Sequence, residues 1–102
     1  MSKHVIATMP GDGIGPEVVR EATKVLEAAG RVAGIDWEWR EIGVNAERAL
    51  KTGVSVTDAD LDEIGRCEDI LLGALGDPRV SEKLMQTGGV LKTRFHFDQY
   101  VN

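Results

Sequence analysis

Arg94 is a residue whose type suits holding a carboxylate in a defined orientation. Its guanidinium fork matches a carboxylate with two parallel hydrogen bonds. Thr87, Val90 and Arg94 are spaced i, i+3, i+7, which places a hydroxyl, a small apolar side chain and a cation along one helix face. That line suits a site reading a carboxylate and the side chain beside it. Taken alone, Arg94 reads first as a surface ion-pair residue. The second candidate is main chain. In Pro10-Gly11-Asp12-Gly13-Ile14-Gly15-Pro16-Glu17 three glycines alternate, which permits unusual backbone angles and close approach of another molecule. Pro16 suits the first position of a helix, and N–H groups at a helix start favour an anionic or polar ligand. A glycine-rich strand-to-helix connection without a ligand explains the same residues. The segment is not a Rossmann fingerprint, because the third glycine of G-x-G-x-x-G falls on Pro16. It is not a P-loop, because no Gly-Lys-Ser/Thr follows.

Other groups carry less. Asp58, Asp60, Asp62 and Glu63 crowd the start of one helix, where neighbouring positions point in different directions, and a solvated, N-terminally charged helix explains them better than a metal. Trp37 and Trp39 alternate with acids, the pattern of core residues in a half-buried strand rather than a base-stacking platform. Cys67 is the single cysteine. It has no disulfide or zinc partner, and its place before an apolar strand points to a buried thiol.

The elements that must position these groups follow from periodicity. The apolar run from His4 to Met9 reads as a strand covered on both faces. Val18, Val19, Ala22, Val25, Leu26 and Ala29 recur at helical spacing from Pro16 to about Ala29, with Gly30 or Gly34 as the stop. Ile35 to Ile42 is a second strand. Asn45 caps a short helix that runs to Thr52 and stops at Gly53. Thr57 and Asp60 form a capping box for a helix that turns Leu61 and Ile64 inward and ends near Cys67. Asp69 to Gly76 is another buried strand, and a helix spans about Gly89 to Asp98. Strands alternating with helices make an α/β layer with a mainly parallel sheet flanked by helices. Ligands of such sheets sit beyond the carboxyl ends of the strands, so Pro10–Gly15 and Gly76–Ser81 are expected to share one rim.

The chain has 102 residues, enough for one small domain, with 12 basic and 17 acidic residues and a net charge of −5. That balance argues against a nucleic-acid surface or a polybasic membrane anchor. The apolar run after Lys3 is too short for a signal-peptide core or a membrane span, which makes a reducing cytoplasm the default.

Met9-Pro10-Gly11-Asp12-Gly13-Ile14-Gly15-Pro16-Glu17-Val18 resembles the opening of the isopropylmalate/isocitrate dehydrogenase family, the β-decarboxylating 2-hydroxyacid dehydrogenases. Ile70-Leu71-Leu72-Gly73-Ala74-Leu75-Gly76 is similar to its central strand and nucleotide loop. Arg94 to Asn102 resembles the segment in which a helix arginine is followed eight residues later by Asn-Leu-Arg-Pro. The resemblance spans nearly all of residues 1–102 and corresponds to the N-terminal part of a family member, a truncated domain.

The resemblance implies the fold of that family, which is not Rossmann, and NAD-dependent oxidative decarboxylation of a 2-hydroxy dicarboxylate. The first-choice substrate is 3-isopropylmalate, from leucine biosynthesis, because Val90 and Leu91 set an apolar surface beside Arg94. It assigns Arg94 to a malate carboxylate and Val90 to the variable substrate side chain. It places Ile14, Gly76 and Thr87 beside the cofactor, NAD with NADP possible. Mg2+ or Mn2+ is implied with ligands outside this chain, as are the catalytic lysine–tyrosine pair and a homodimer. The 102-residue chain alone is therefore expected to be inactive. The loop from Gly76 to Thr87 lacks the usual Arg-Pro-Glu run, Val90 is smaller than the typical leucine, and Phe97–Asn102 is also similar to the tartrate dehydrogenase branch. Tartrate, D-malate and isocitrate stay open as substrates. A non-catalytic α/β module binding an anion or a partner is the alternative of a different class.

Overall fold

The structure, a computed structural model, describes residues 2–81 and 92–97. Thr87 and Val90 lie outside the described residues. Strand β1 (Ser2–Gly11) leads into helix α1 (Gly15–Ala33), then strand β2 (Ile35–Glu41), helix α2 (Ala46–Thr52), helix α3 (Asp58–Gly65), strand β3 (Asp69–Ala74) and helix α4 (Lys92–His96). The described strands form one parallel sheet in the order β2-β1-β3. The near-continuous apolar β1 is central, as its sequence requires, with Ala7 fully buried and Met9 nearly so.

The register fixes what each face carries. Ile6 pairs with Trp39 and Ala7 with Ile70. Ala7 and Met9 face a core made with Ile42, Val44, Val56, Leu61 and Ile64, against which Ile70, Leu72 and Phe97 pack. Helix α3 holds that core through Leu61 and Ile64, the two residues its periodicity turns inward. Its capping box is complete: Asp60 N–H donates to Thr57 Oγ1 at 3.1 Å and Thr57 N–H to Asp60 Oδ2 at 2.9 Å. Helix α2 starts on Asn45, whose side chain accepts from Arg48 N–H at 2.9 Å, and stops at Gly53.

Helix α1 runs through Gly30 and stops at Gly34, one of its two expected ends. It departs from expectation in its inward face, which takes Val19 but neither Val18 nor Val25. Val18 and Val25 are 50% and 68% exposed, whereas Gly15, Val19 and Gly30 are buried. The glycines explain both. A Cβ on Gly30 would stand 2.7 Å from the Ile35 carbonyl oxygen and 2.7 Å from Trp37 Nε1, so only glycine lets the helix approach β2 along that line. Trp37 and Trp39 are half-buried beneath α1 and stacked on each other at 5.5 Å. Their indole N–H groups donate to the Leu26 carbonyl at 2.7 Å and to Glu27 at 2.9 Å. Their polar edges thus serve α1, as a packing role requires.

Candidate functional site: the carboxyl-terminal rim of the sheet

Strand β3 ends at Ala74, two residues earlier than expected, because the glycine loop crosses its end. A Cβ on Gly11 would overlap the Ala74 carbonyl oxygen, and a Cβ on Gly15 or on Gly73 would overlap the Pro10 carbonyl oxygen. The space beside Gly11 and Gly15 is therefore filled by the protein's own backbone rather than reserved for a ligand. Gly13 differs: its φ is +56° and nothing stands within 4 Å of where a Cβ would be. The helix start is also less available to an anion than its composition implies. Gly15 N–H donates to the Asp12 carbonyl at 2.8 Å, and Pro16 has no N–H.

One side chain joins the parts of this rim. Asp12 Oδ1 accepts from Ala46 N–H at 2.7 Å, at the start of α2, and Asp12 Oδ2 accepts from Gly76 N–H at 3.1 Å, just past β3. Its own N–H donates to the Ala74 carbonyl at 2.6 Å. The ends of β1 and β3 and the entry to α2 are thereby held around one carboxylate. A second tie runs through the loop after β3, where Arg79 pairs with Asp77 at 2.9 Å and with Glu47 of α2 at 2.8 Å. Sequence reading passed over Asp12; its signal is that it is the one charged residue between the glycines of the loop.

The structure brings Ile14 and Gly76 to this same rim. Ile14 is 69% exposed at the cap of α1. Gly76 is exposed, with open space where a Cβ would be. Both are exposed, on loops joined through Asp12, and an apolar side chain with open main chain suits the face of a flat heteroaromatic ring. Arg94 belongs to helix α4. It is half-buried on α4, which docks on the α3 side: Lys92 donates to the Val56 carbonyl at 2.8 Å, Thr93 is buried, and Phe97 packs on the core. No hydrogen bond or ion pair among the described residues joins Arg94 to Ile14 or Gly76. A cavity of about 490 Å³ opens beneath the rim between α1 and the end of β2, with Thr8, Val19, Arg20, Trp39 and Glu41 in its wall; sequence reading singled out neither Arg20 nor Glu41. Among the described residues, no group of three or more His, Cys, Asp or Glu is placed to hold a metal ion. No described helix is long and apolar enough to cross a membrane.

Several carboxylates are tuned by their partners. Hydrogen bonds from the Arg79 side chain and backbone hold Asp77 down at about 2. Arg40, then Lys3, lowers Glu38, and His4, then the Val5 N–H, lowers Glu68. Burial works to raise Asp60, but hydrogen bonds from Arg48 and Thr57 together outweigh it, so Asp60 also lies below its ordinary value of 3.8. Burial pushes the Cys67 thiol up, which suits an inert cysteine. Each lowered carboxylate binds its proton more weakly folded than unfolded. Its contribution is complete above the ordinary carboxylate range and lost as pH falls through the folded value. Unfolding free energy measured in urea is therefore expected to hold from pH 7 to about 5 and to fall steadily towards pH 2. A flat profile across that acid range would contradict these assignments.

A family model described as isocitrate/isopropylmalate dehydrogenase matches residues 5–102. The chain is 46% identical over 97 residues to a 3-isopropylmalate dehydrogenase of Streptomyces avermitilis, covering 95% of this chain and 28% of that protein. It is 48% identical over 99 residues to a 3-isopropylmalate dehydrogenase of Beutenbergia cavernae, covering 95% of this chain and 28% of that protein. The structure superposes on a crystal structure of a β-decarboxylating dehydrogenase from Thermococcus kodakarensis in its apo form. The TM-score is 0.70 at 32% sequence identity, covering 98% of this chain and 28% of that one. The chain thus spans about 28% of the length of the curated relatives it matches.

Proposed function

The chain belongs to the isocitrate/isopropylmalate dehydrogenase family, and from that premise we propose that it supplies part of the substrate and cofactor site for NAD-dependent oxidative decarboxylation of 3-isopropylmalate. The observation that supports this most is the rim, where Asp12 holds the Ile14 loop and the Gly76 loop together. On this reading Ile14 and Gly76 flank the cofactor, with Thr87 near the nicotinamide. Arg94 clamps a malate carboxylate with two hydrogen bonds and so orients the C2 hydroxyl. Val90 meets the variable side chain. A nicotinamide held by Ile14, Gly76 and Thr87 would supply the hydride acceptor for C2. The described residues offer no ligand set for Mg2+ or Mn2+, so no step is assigned to a metal through them; its ligands, and the groups that move protons, come from other sequence. The assembly is a homodimer in the cytoplasm.

The test joins this chain to the remaining sequence of the Streptomyces avermitilis relative and follows NAD reduction with 3-isopropylmalate, D-malate, tartrate and isocitrate, with Mg2+ or Mn2+ present. The expected result is turnover by the joined protein, fastest on 3-isopropylmalate, and none by residues 1–102 alone. Preference for tartrate or isocitrate would move the substrate assignment, and turnover by residues 1–102 alone would overturn the division of the active site.

A further inference from the structure

We infer that Asp12 is a positioning residue for the cofactor: it sets where the Gly76 main chain stands relative to Ile14, and so shapes the cofactor face without touching the cofactor. The inference rests on the cofactor reading above and adds a residue to it. Its geometric basis is direct. One carboxylate takes a hydrogen bond on each oxygen from two different elements, Ala46 N–H at 2.7 Å and Gly76 N–H at 3.1 Å, while the Asp12 N–H is spent on the Ala74 carbonyl at 2.6 Å. Gly76 needs such a tether. Its φ of +154° and the lack of any neighbour within 4 Å of a Cβ position mean that side-chain packing does not hold it. A charged acceptor with two backbone donors is short-reaching and directional, and stronger than a neutral one. Ile14 lies two residues after Asp12, on the same turn. Moving the carboxylate therefore moves both walls of the proposed cofactor face together.

The experiment uses the protein joined to the remaining sequence of the Streptomyces avermitilis relative, with Asp12→Asn, Asp12→Ala and, as a control, Asn45→Ala. Asn45→Ala removes the α2 cap without touching Gly76. Amide hydrogen exchange at Gly76 and Ala46 is read by NMR, and NAD is titrated while the Ile14 methyl signals are followed. Asp12→Asn retains one acceptor, which the shorter Ala46 bond takes. Gly76 exchange is then expected to rise about tenfold and NAD affinity to fall about tenfold, the equivalent of one charged hydrogen bond. Asp12→Ala frees both amides with at least that loss of affinity. Asn45→Ala lowers stability but leaves Gly76 exchange and NAD affinity unchanged, which a merely structural role for Asp12 would not predict. The inference is overturned if Gly76 stays protected in both Asp12 variants, or if Gly76 is released while NAD affinity holds. If NAD leaves the Ile14 signals of the unsubstituted joined protein unmoved, the cofactor reading fails and the inference falls with it, whereas a Gly76 that is protected only when Asp12 is present shows that the tether itself is sound.

Discussion

Gly15→Ala is expected to cost about 3 kcal/mol of stability, at the top of the range for forcing extra volume into a packed site. The added Cβ would overlap the Pro10 carbonyl oxygen and stand 2.8 Å from the Ala74 amide nitrogen. Both neighbours are backbone, and both belong to elements of the central sheet, so neither gives way as a flexible side chain would. Relief requires α1 to lift from the ends of β1 and β3 together. For a domain of this size the loss is a large part of total stability and corresponds to a Tm drop on the order of 15 °C. Gly13→Ala provides the contrast. Its site is open and its φ is +56°, so the cost is only the left-handed backbone penalty of roughly 1–2 kcal/mol. Thermal unfolding of the two variants side by side checks this. Equal losses would mean that conformation, not the close crossing of backbones, selects glycine at position 15.

Asp60→Ala is expected to cost about 3–4 kcal/mol, because one side chain closes two structures. It completes the α3 capping box by accepting the Thr57 N–H at 2.9 Å. It also takes both terminal nitrogens of Arg48, through Nη1 at 3.1 Å and through a close Nη2 contact. The pair is well sheltered, with side chains 13% and 28% exposed. Removing the acid leaves Arg48 with the Ser55 carbonyl as its remaining acceptor among the described residues and frees one end of the α2–α3 connection. Arg48→Met isolates the ion pair, since it keeps the capping box and most of the side-chain volume. Urea unfolding of both single variants and the double variant should show a coupling of about 1–3 kcal/mol. Additive losses would mean that Asp60 acts through its cap alone.

What the sequence made legible was local. Thr57 with Asp60, Asn45 with Gly53 and the apolar run of β1 each define an element from neighbouring residues, and the structure contains all of them. The shared rim was legible for a topological reason, since parallel strands joined by helices bring their carboxyl ends to one side. The inward face of α1 was not legible. Periodicity groups Val18 with Val19 and Val25 with Leu26, and only the long-range fit of Gly15 and Gly30 against β1, β2 and β3 chooses between them. Asp12 escaped notice for the same reason. Its two partners lie 34 and 64 residues away, and no local pattern encodes a bond of that reach. The glycine loop shows the ambiguity most sharply: a missing Cβ looks the same in sequence whether a ligand or the protein's own backbone takes its place.

The assignment of Arg94 to a substrate carboxylate is tested most directly by Arg94→Met in the protein joined to the Streptomyces avermitilis sequence. Loss of a two-point charged contact predicts a fall in kcat/KM for 3-isopropylmalate of about 100-fold or more, with the KM for NAD little changed. Arg94→Lys should recover only part of the loss, because a point charge does not reproduce the fork. A kcat/KM for Arg94→Met equal to that of the unsubstituted protein would place the carboxylate elsewhere and return Arg94 to the surface ion-pair role that its residue type alone allows.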